Sequence, residues 1–376
     1  MCRVFHLPRD LYAGRRVKSR HGEEQSSDCN LMEDISIMIN YALEQIQKLL
    51  SIPSPTGFTR KATDYVFDTL SAMGFSPVRT VKGAVLCHLG GEGNGVLLSA
   101  HVDTLGAMVR SVKGNGRLRY THIGGWQDAT VEIENCTVFT RDGKTYSGTA
   151  QHVKASQHVY PGMGKDERAE ETMEIVLDEK VKSAAEVKEL GIDTGCYIAW
   201  DPRTVYTPTG YLKSRHLDDK ASSGIELALA KAVSEGKIAL KRSVWIYFSV
   251  YEEVGHGASM KLPEDVKDML VVDMGCVGDD LACDETMVSI CAKDSAGPFD
   301  YEMTSELVAL AKENGLQYAV DVYPSYSSDA ATALRSGNDV RYALIGPGVF
   351  ASHGYERTHR EGIENTLKLI ELYLTK

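Results

Sequence analysis

The periodic patterning of the chain begins at Glu33. In "EDISIMINYALEQIQKLLSI" the apolar positions Ile35, Met38, Ile39, Ala42, Ile46 and Leu49 recur at helical spacing, and "SPTGFTRKATDYVFDTLSAMGF" reads as a turn, a second helix and a glycine stop. Two amphipathic helices are therefore expected, followed by strands in "AVLCHLGG" and "NGVLLSAHVDT", which are apolar runs bounded by turn signals. From about Ala107 to about Pro208 the texture changes. Short alternating runs are punctuated by "GNGR", "RDGK" and "GMGK", hairpin chemistry suited to a small β-barrel or sandwich, with one helix around "SAAEVKELG". Helix–strand alternation resumes at Tyr211: helix "DKASSGIELALAKAVSEG", strands "SVWIYFSV" and "MLVVDMG", helix "YEMTSELVALAKENG", strand "QYAVDVY" and a last helix "EGIENTLKLIELYLT". The pattern predicts an α/β domain made of residues 33–106 and 209–376, interrupted by a β-rich insertion, 107–208.

Composition narrows this little and excludes much. With 376 residues, 43% hydrophobic and 25% charged, the chain has ordinary globular make-up and enough length for a domain with a large insertion. Residues 1–32 have no periodicity and read as a flexible extension. They lack the apolar core of a signal peptide, and no apolar run approaches the ~20 residues of a membrane helix, so a cytoplasmic protein is expected. The eight cysteines form no C-x-x-C pair, which signals neither a zinc ribbon nor a disulfide framework. A formal net charge of -11 argues against nucleic acid or an anionic membrane as partner.

The chemistry gathers where apolar runs stop. The run "VWIYFSVYEEVGHGAS" ends abruptly on Glu252 and Glu253, and burying two adjacent carboxylates is costly unless a cation sits beside them. Four other stretches end or open in the same way: His101 in "LLSAHVDTLGAM", Asp218 and Asp219 in "SRHLDDKASSG", Asp273 in "LVVDMG" and His353 in "FASHGYERTH". In α/β sheets strand ends and their loops converge on one crevice, so distant positions can meet there. Two histidines with several carboxylates and no cysteine suit a pair of divalent first-row ions such as zinc, cobalt or manganese. Two such ions ~3.5–4 Å apart need a bridging carboxylate, terminal ligands and a bridging water. Asp103, two residues beyond His101, is placed to hold the second imidazole nitrogen.

The motifs "AHVDTLG", "HLDDKAS", "EEVGHGAS", "VVDMG", "SSDAAT" and "ASHGYERTH", in this order and with the β-rich insertion directly after the first, resemble the dinuclear metallo-aminopeptidase family numbered forty-two, which includes the tetrahedral and glutamyl aminopeptidases. The resemblance covers about residues 33 to 376. It implies a three-layer αβα metallopeptidase domain with an inserted small β-barrel dimerisation domain. It implies two divalent ions per subunit, zinc foremost and cobalt or manganese as alternatives. Asp218 would bridge them, His101 and His353 would each hold one, and Glu253 and Asp273 would supply the terminal carboxylates. Glu252 matches the family's general base. Short peptides or small amides are the implied substrates, and dimers assembling into a dodecamer the implied state.

Two departures and one narrower likeness accompany this. Lys220 follows the aspartates where arginine is common, and "VGHGAS" is compact after the glutamates; His256 and Lys220 are expected to be solvated or to act behind the ligands, with shaping of the substrate pocket as the alternative. Asp329 matches an aspartate near the site. The run "KDSAGPFDYEMT", with "SDAATALRSGNDVR", resembles a bacterial branch associated with the osmoprotectant N-acetylglutaminylglutamine amide, which leaves a hydrolase of that blocked dipeptide as an alternative activity. A silent metal-binding scaffold is the other alternative, and the retention of Glu252 and every ligand weighs against it.

Overall fold

The computed structural model describes residues 37–376; the extension 1–32 and the Ile35 position lie outside the described residues. Two hydrophobic cores divide the chain, a large one in an α/β body and a small one inside a barrel.

The body begins with helix α1 (37–50) and α2 (Arg60–Ala72), whose buried stripe of Ala62, Thr63, Val66 and Leu70 follows the expected helical spacing. Strands β1 (Val78–Arg79), β2 (Val85–Gly90) and β3 (Gly95–His101) follow. Every residue of β3 is buried, as befits a central strand with parallel neighbours on both sides. The chain then leaves the sheet. Strands β4 (Gly106–Val112), β5 (Leu118–Ile123), β6 (Asn135–Phe139), β7 (Thr145–His152), β8 (Met173–Leu177) and β9 (Tyr197–Trp200) close into a barrel in the order β4-β5-β8-β7-β6-β9, with helix α3 (Ala184–Glu189) in the β8–β9 connection. The "GNGR" and "RDGK" turns join β4 to β5 and β6 to β7.

Strands β10 (Val205–Tyr206) and β11 (Tyr211–Ser214) bring the chain back to the main sheet, and α4 (Leu217–Ser234) packs across β3. The remaining elements are β12 (Val244–Ser249), β13 (Val266–Val272), β14 (Gly275–Val277), β15 (Val288–Lys293), α5 (Tyr301–Glu313), β16 (Tyr318–Val322), α6 (Asp329–Arg335), β17 (Arg341–Phe350), β18 (Glu356–His359) and α7 (Arg360–Thr375). The main sheet runs β1-β2-β12-β3-β13-β17-β18-β11-β10, with β14 and β15 paired to β17 and β16 paired to β15. Pattern reading did not separate α6, β14, β17 and β18, because short elements in a glycine-rich segment carry too few periods.

This order positions the site. Strands β12, β3, β13 and β17 lie side by side and parallel, so their carboxyl ends share one edge. Beyond that edge lie His101 at the end of β3, Glu252 and Glu253 after β12, Asp273 after β13 and His353 after β17. No described helix is long and apolar enough to cross a membrane.

Candidate metal centre

The strand-end residues meet around Asp218. Its two carboxylate oxygens face different histidines: Oδ1 lies 3.0 Å from Nε2 of His101 and Oδ2 lies 3.3 Å from Nε2 of His353. Glu253 stands 3.6 Å from the same nitrogen of His353, and Glu252 stands 3.8 Å from that of His101. Asp273 belongs to a group with His101 and Asp219 whose donor atoms all lie within 4.8 Å, and His101, Asp218 and Glu253 form a second such group. The seven side chains come from five separate segments, which only the sheet edge can unite.

Each ligand is held from behind. The N–H of His101 donates to Asp219 Oδ2 at 3.2 Å, and its carbonyl accepts from Ser223. The second imidazole nitrogen of His101 meets the main-chain carbonyl of Asp103 at 2.9 Å, while the Asp103 carboxylate lies 3.6 Å away. This corrects the expectation that the Asp103 side chain orients that ring. β3 ends at His101, so the alternation that would place Asp103 on the same face no longer applies. The fully buried Asp103 carboxylate instead accepts from Thr56 Oγ1 (2.7 Å) and from the backbone N–H groups of Glu252 (3.2 Å) and Glu253 (3.4 Å). It fixes the turn that carries the glutamate pair.

His353 is held differently. Its Nδ1 contacts the carbonyl of Gly125, in the barrel, and its N–H donates to Glu356 at 3.0 Å. Glu356, on β18, also accepts the N–H of Asp218 at 3.1 Å, so one buried carboxylate sets the backbone of both. Sequence reasoning quoted its motif and did not single it out; a charged residue at a buried strand start was the available signal. Of the seven non-glycine residues with positive φ among those described, His216, Tyr251, Ala351 and His353 flank the site, which marks locally strained backbone held by surrounding contacts.

The electrostatics describe an acidic cluster in need of positive charge. Burial pushes Glu252 and Glu253 well above the carboxylate range, and burial with the neighbouring Asp218 raises Asp273 to about 7 and Glu356 to about 8. Burial opposes the cationic form of His353, yet its hydrogen bond to Asp218 and the nearby charges take it up to about 10. Oε1 of Glu253 and Oδ1 of Asp219 are buried without a hydrogen-bond partner. Carboxylates with orphaned oxygens grouped with imidazole nitrogens, with no thiolate in either group, fit divalent cations taking oxygen and nitrogen ligands.

Of the residues singled out around the ligands, Lys220 and Asp329 are buried and His256 is not. Lys220 is buried, with Nζ donating to the Ile52 carbonyl at 2.7 Å, and burial brings it down to about 7. Asp329 accepts from Ser99 of β3 at 3.0 Å and from the Ala258 N–H at 2.8 Å, tying the central strand to the loop beyond Glu253. His256 is exposed on that loop.

Comparison with known proteins identifies the family. The pattern of the M42 glutamyl aminopeptidases matches residues 83–369. The Bacillus subtilis protein YhfE, named an aminopeptidase, is 42% identical over 338 residues, covering 89% of this chain and 98% of its own. The chain belongs to the M42 glutamyl aminopeptidase family. It is accordingly a metal-dependent exopeptidase, a hydrolase. The glutamyl aminopeptidase of Lactococcus lactis is 25% identical over 216 residues, 56% of this peptidase and 60% of that relative. Among solved structures the TET1 peptidase of Pyrococcus horikoshii, described as assembling into a tetrahedron or a large octahedral shell, superposes with a TM-score of 0.78 at 19% identity, covering 89% of this peptidase and 99% of that chain. At that identity the likeness speaks for the fold alone.

Proposed function

We propose that this aminopeptidase holds two divalent ions, with Asp218 shared between them, His101 and Asp273 completing one site, and Glu253 and His353 the other. Zinc is the ion we assign, with cobalt and manganese as substitutes the same donors accept. The observation that carries this is the carboxylate of Asp218 presenting one oxygen to each histidine. Ions held by these residues would acidify a water and polarise the scissile carbonyl. Glu252 is the residue that would take the water's proton and deliver it to the amine that leaves, one carboxylate serving both transfers. Its backbone, tied to Asp103, keeps its carboxylate beside His101 and directed at the cluster. A carboxylate already raised by burial suits proton exchange near neutral pH.

The substrates are short peptides or small amides, and the acidic net charge disfavours nucleic-acid and anionic-membrane partners. We assign the barrel a dimerisation role, dimers building a dodecamer, and place the enzyme in the cytoplasm. Glu252→Gln tests the catalytic assignment: two ions per chain by elemental analysis, with turnover on a free-amine tripeptide lowered by roughly 10³-fold or more. Retained turnover would remove Glu252 from the role of base.

A further inference from the structure

The cleft that opens on the cluster has a volume of about 410 Å³, and outside the cluster its wall carries no charge. Every charged side chain that lines it (Asp218, Glu252, Glu253, Asp273 and His353) belongs to the proposed metal cluster. This uncharged wall is built by the segment between β16 and α6, with Ser325, Tyr326, Ser327 and Ser328, by Thr332 on α6, and by Met274 and Cys276. No lysine or arginine lines it among the described residues, so the acidic preference in the family's name finds no counter-charge on this wall.

Ser328 supplies the second observation. It is 1% exposed, it is among the residues that line the cleft, and its buried Oγ has no hydrogen-bond partner among the described residues, the α6 backbone that follows included. A buried hydroxyl left unpaired is costly unless a ligand group completes it. A hydroxyl can donate or accept by rotating, so a wall of them matches a carboxamide or another hydroxyl. A carboxylate or ammonium group placed against it would give up its hydration without an opposite charge in return.

We propose that this cleft selects peptides whose N-terminal residue has a short uncharged polar side chain, serine, threonine, asparagine or glutamine, over acidic and basic ones. The proposal rests on the aminopeptidase reading above. Sites built to hydrogen-bond a substrate group discriminate strongly against residues that leave that group unpaired.

The test is a series of X-Ala-Ala peptides, X being Ser, Thr, Asn, Gln, Leu, Glu or Lys, offered to the zinc-loaded enzyme and, for binding by calorimetry, to zinc-loaded Glu252→Gln. The uncharged polar members should lead Glu and Lys by about ten-fold or more in both kcat/KM and affinity. Binding in that order without hydrolysis by the wild type would refute the catalytic assignment while upholding the selectivity. Tighter binding of Glu or Lys, or a flat order, would overturn the selectivity whatever the turnover. Ser328→Ala should shrink the lead of Gln and Ser over Leu, chiefly in KM, with Thr332→Val as the parallel variant; a lead untouched by both would refute recognition through hydroxyls. Ser327→Arg should raise the standing of Glu.

Discussion

The two histidines of the centre are built to different standards. His101 terminates a strand buried along its whole length, its ring is 2% exposed, and its partners come from the next two residues and from α4. His353 sits in a loop at positive φ, its side chain is 40% exposed, and its second nitrogen rests on the carbonyl of Gly125, which the inserted barrel provides. One half of the site is made by the sheet. The other is closed by a carbonyl of the inserted barrel. The docking is itself buried and charged: Arg215, next to α4, pairs with Glu134 of the barrel at 2.8 Å and reaches the Gly354 carbonyl beside His353. A rigid strand end preorganises its ligand, whereas a loop ligand must be ordered at a cost in entropy, so the His353 half should bind its ion more weakly.

The largest test of that contrast removes one histidine at a time. His101→Ala should abolish turnover and strip the tighter ion, whereas His353→Ala should retain about one ion per chain after dialysis. Equal metal loss in both variants, by elemental analysis, would erase the distinction.

Asp103→Asn reaches the glutamate turn without removing a proposed ligand. An amide group in place of one carboxylate oxygen meets a backbone N–H head-on, so Glu252 shifts and kcat should fall on the order of 100-fold. The ion at His101 should bind as before, read by competition with a chromogenic chelator; loss of that ion instead would return Asp103 to the histidine.

A smaller effect is expected from Gly124→Ala in the barrel. The residue has φ +79, and an added Cβ would come within 2.5 Å of Leu105 Cδ2 and lie 3.6 Å from Glu253 Cβ. Strain of about 1–3 kcal/mol there should displace the Gly125 carbonyl and weaken the His353-side ion by about ten-fold, leaving its partner unaffected. Equal weakening of both ions, measured by calorimetry, would show that the barrel does not act on one half alone.

The smallest effect is in the pH dependence of the metal-stripped protein. Asp273 and Glu356, raised to about 7 and about 8, keep protons in the fold that the unfolded chain has released above pH ~4.5, so the native state binds more protons than the unfolded one across that window. Stability should therefore fall as pH rises from about 5 to 8. His353, at about 10, acts in the same direction above its unfolded value. Melting after chelation should be a few degrees lower at pH 8 than at pH 6, and divalent ions should flatten the slope. A melting temperature that rose with pH would contradict these protonation states.

Much of the fold could be read from the chain because its signals are local. The buried runs of β3, β12 and β13, the stripe of α2 and the glycine turns of the barrel each declare themselves within a few residues. Short α6 and β18 do not, and with them Ser328 and Glu356 escaped notice. Asp103 was noticed for a role that its side chain does not play, since a period of two was extended one step beyond the end of its strand.

By itself the sequence determined which chemical groups stand at the ends of the strands, because side-chain type and strand termination are properties of a few adjacent residues. What each group faces was decided only by the tertiary structure. Asp218 meets two histidines 117 and 135 residues away, Glu356 joins the backbones of Asp218 and His353, and a barrel carbonyl completes an imidazole. Those contacts depend on strand order and domain docking, where a hydrogen bond is gained or lost within half an ångström, and no local pattern along the chain carries distances of that kind.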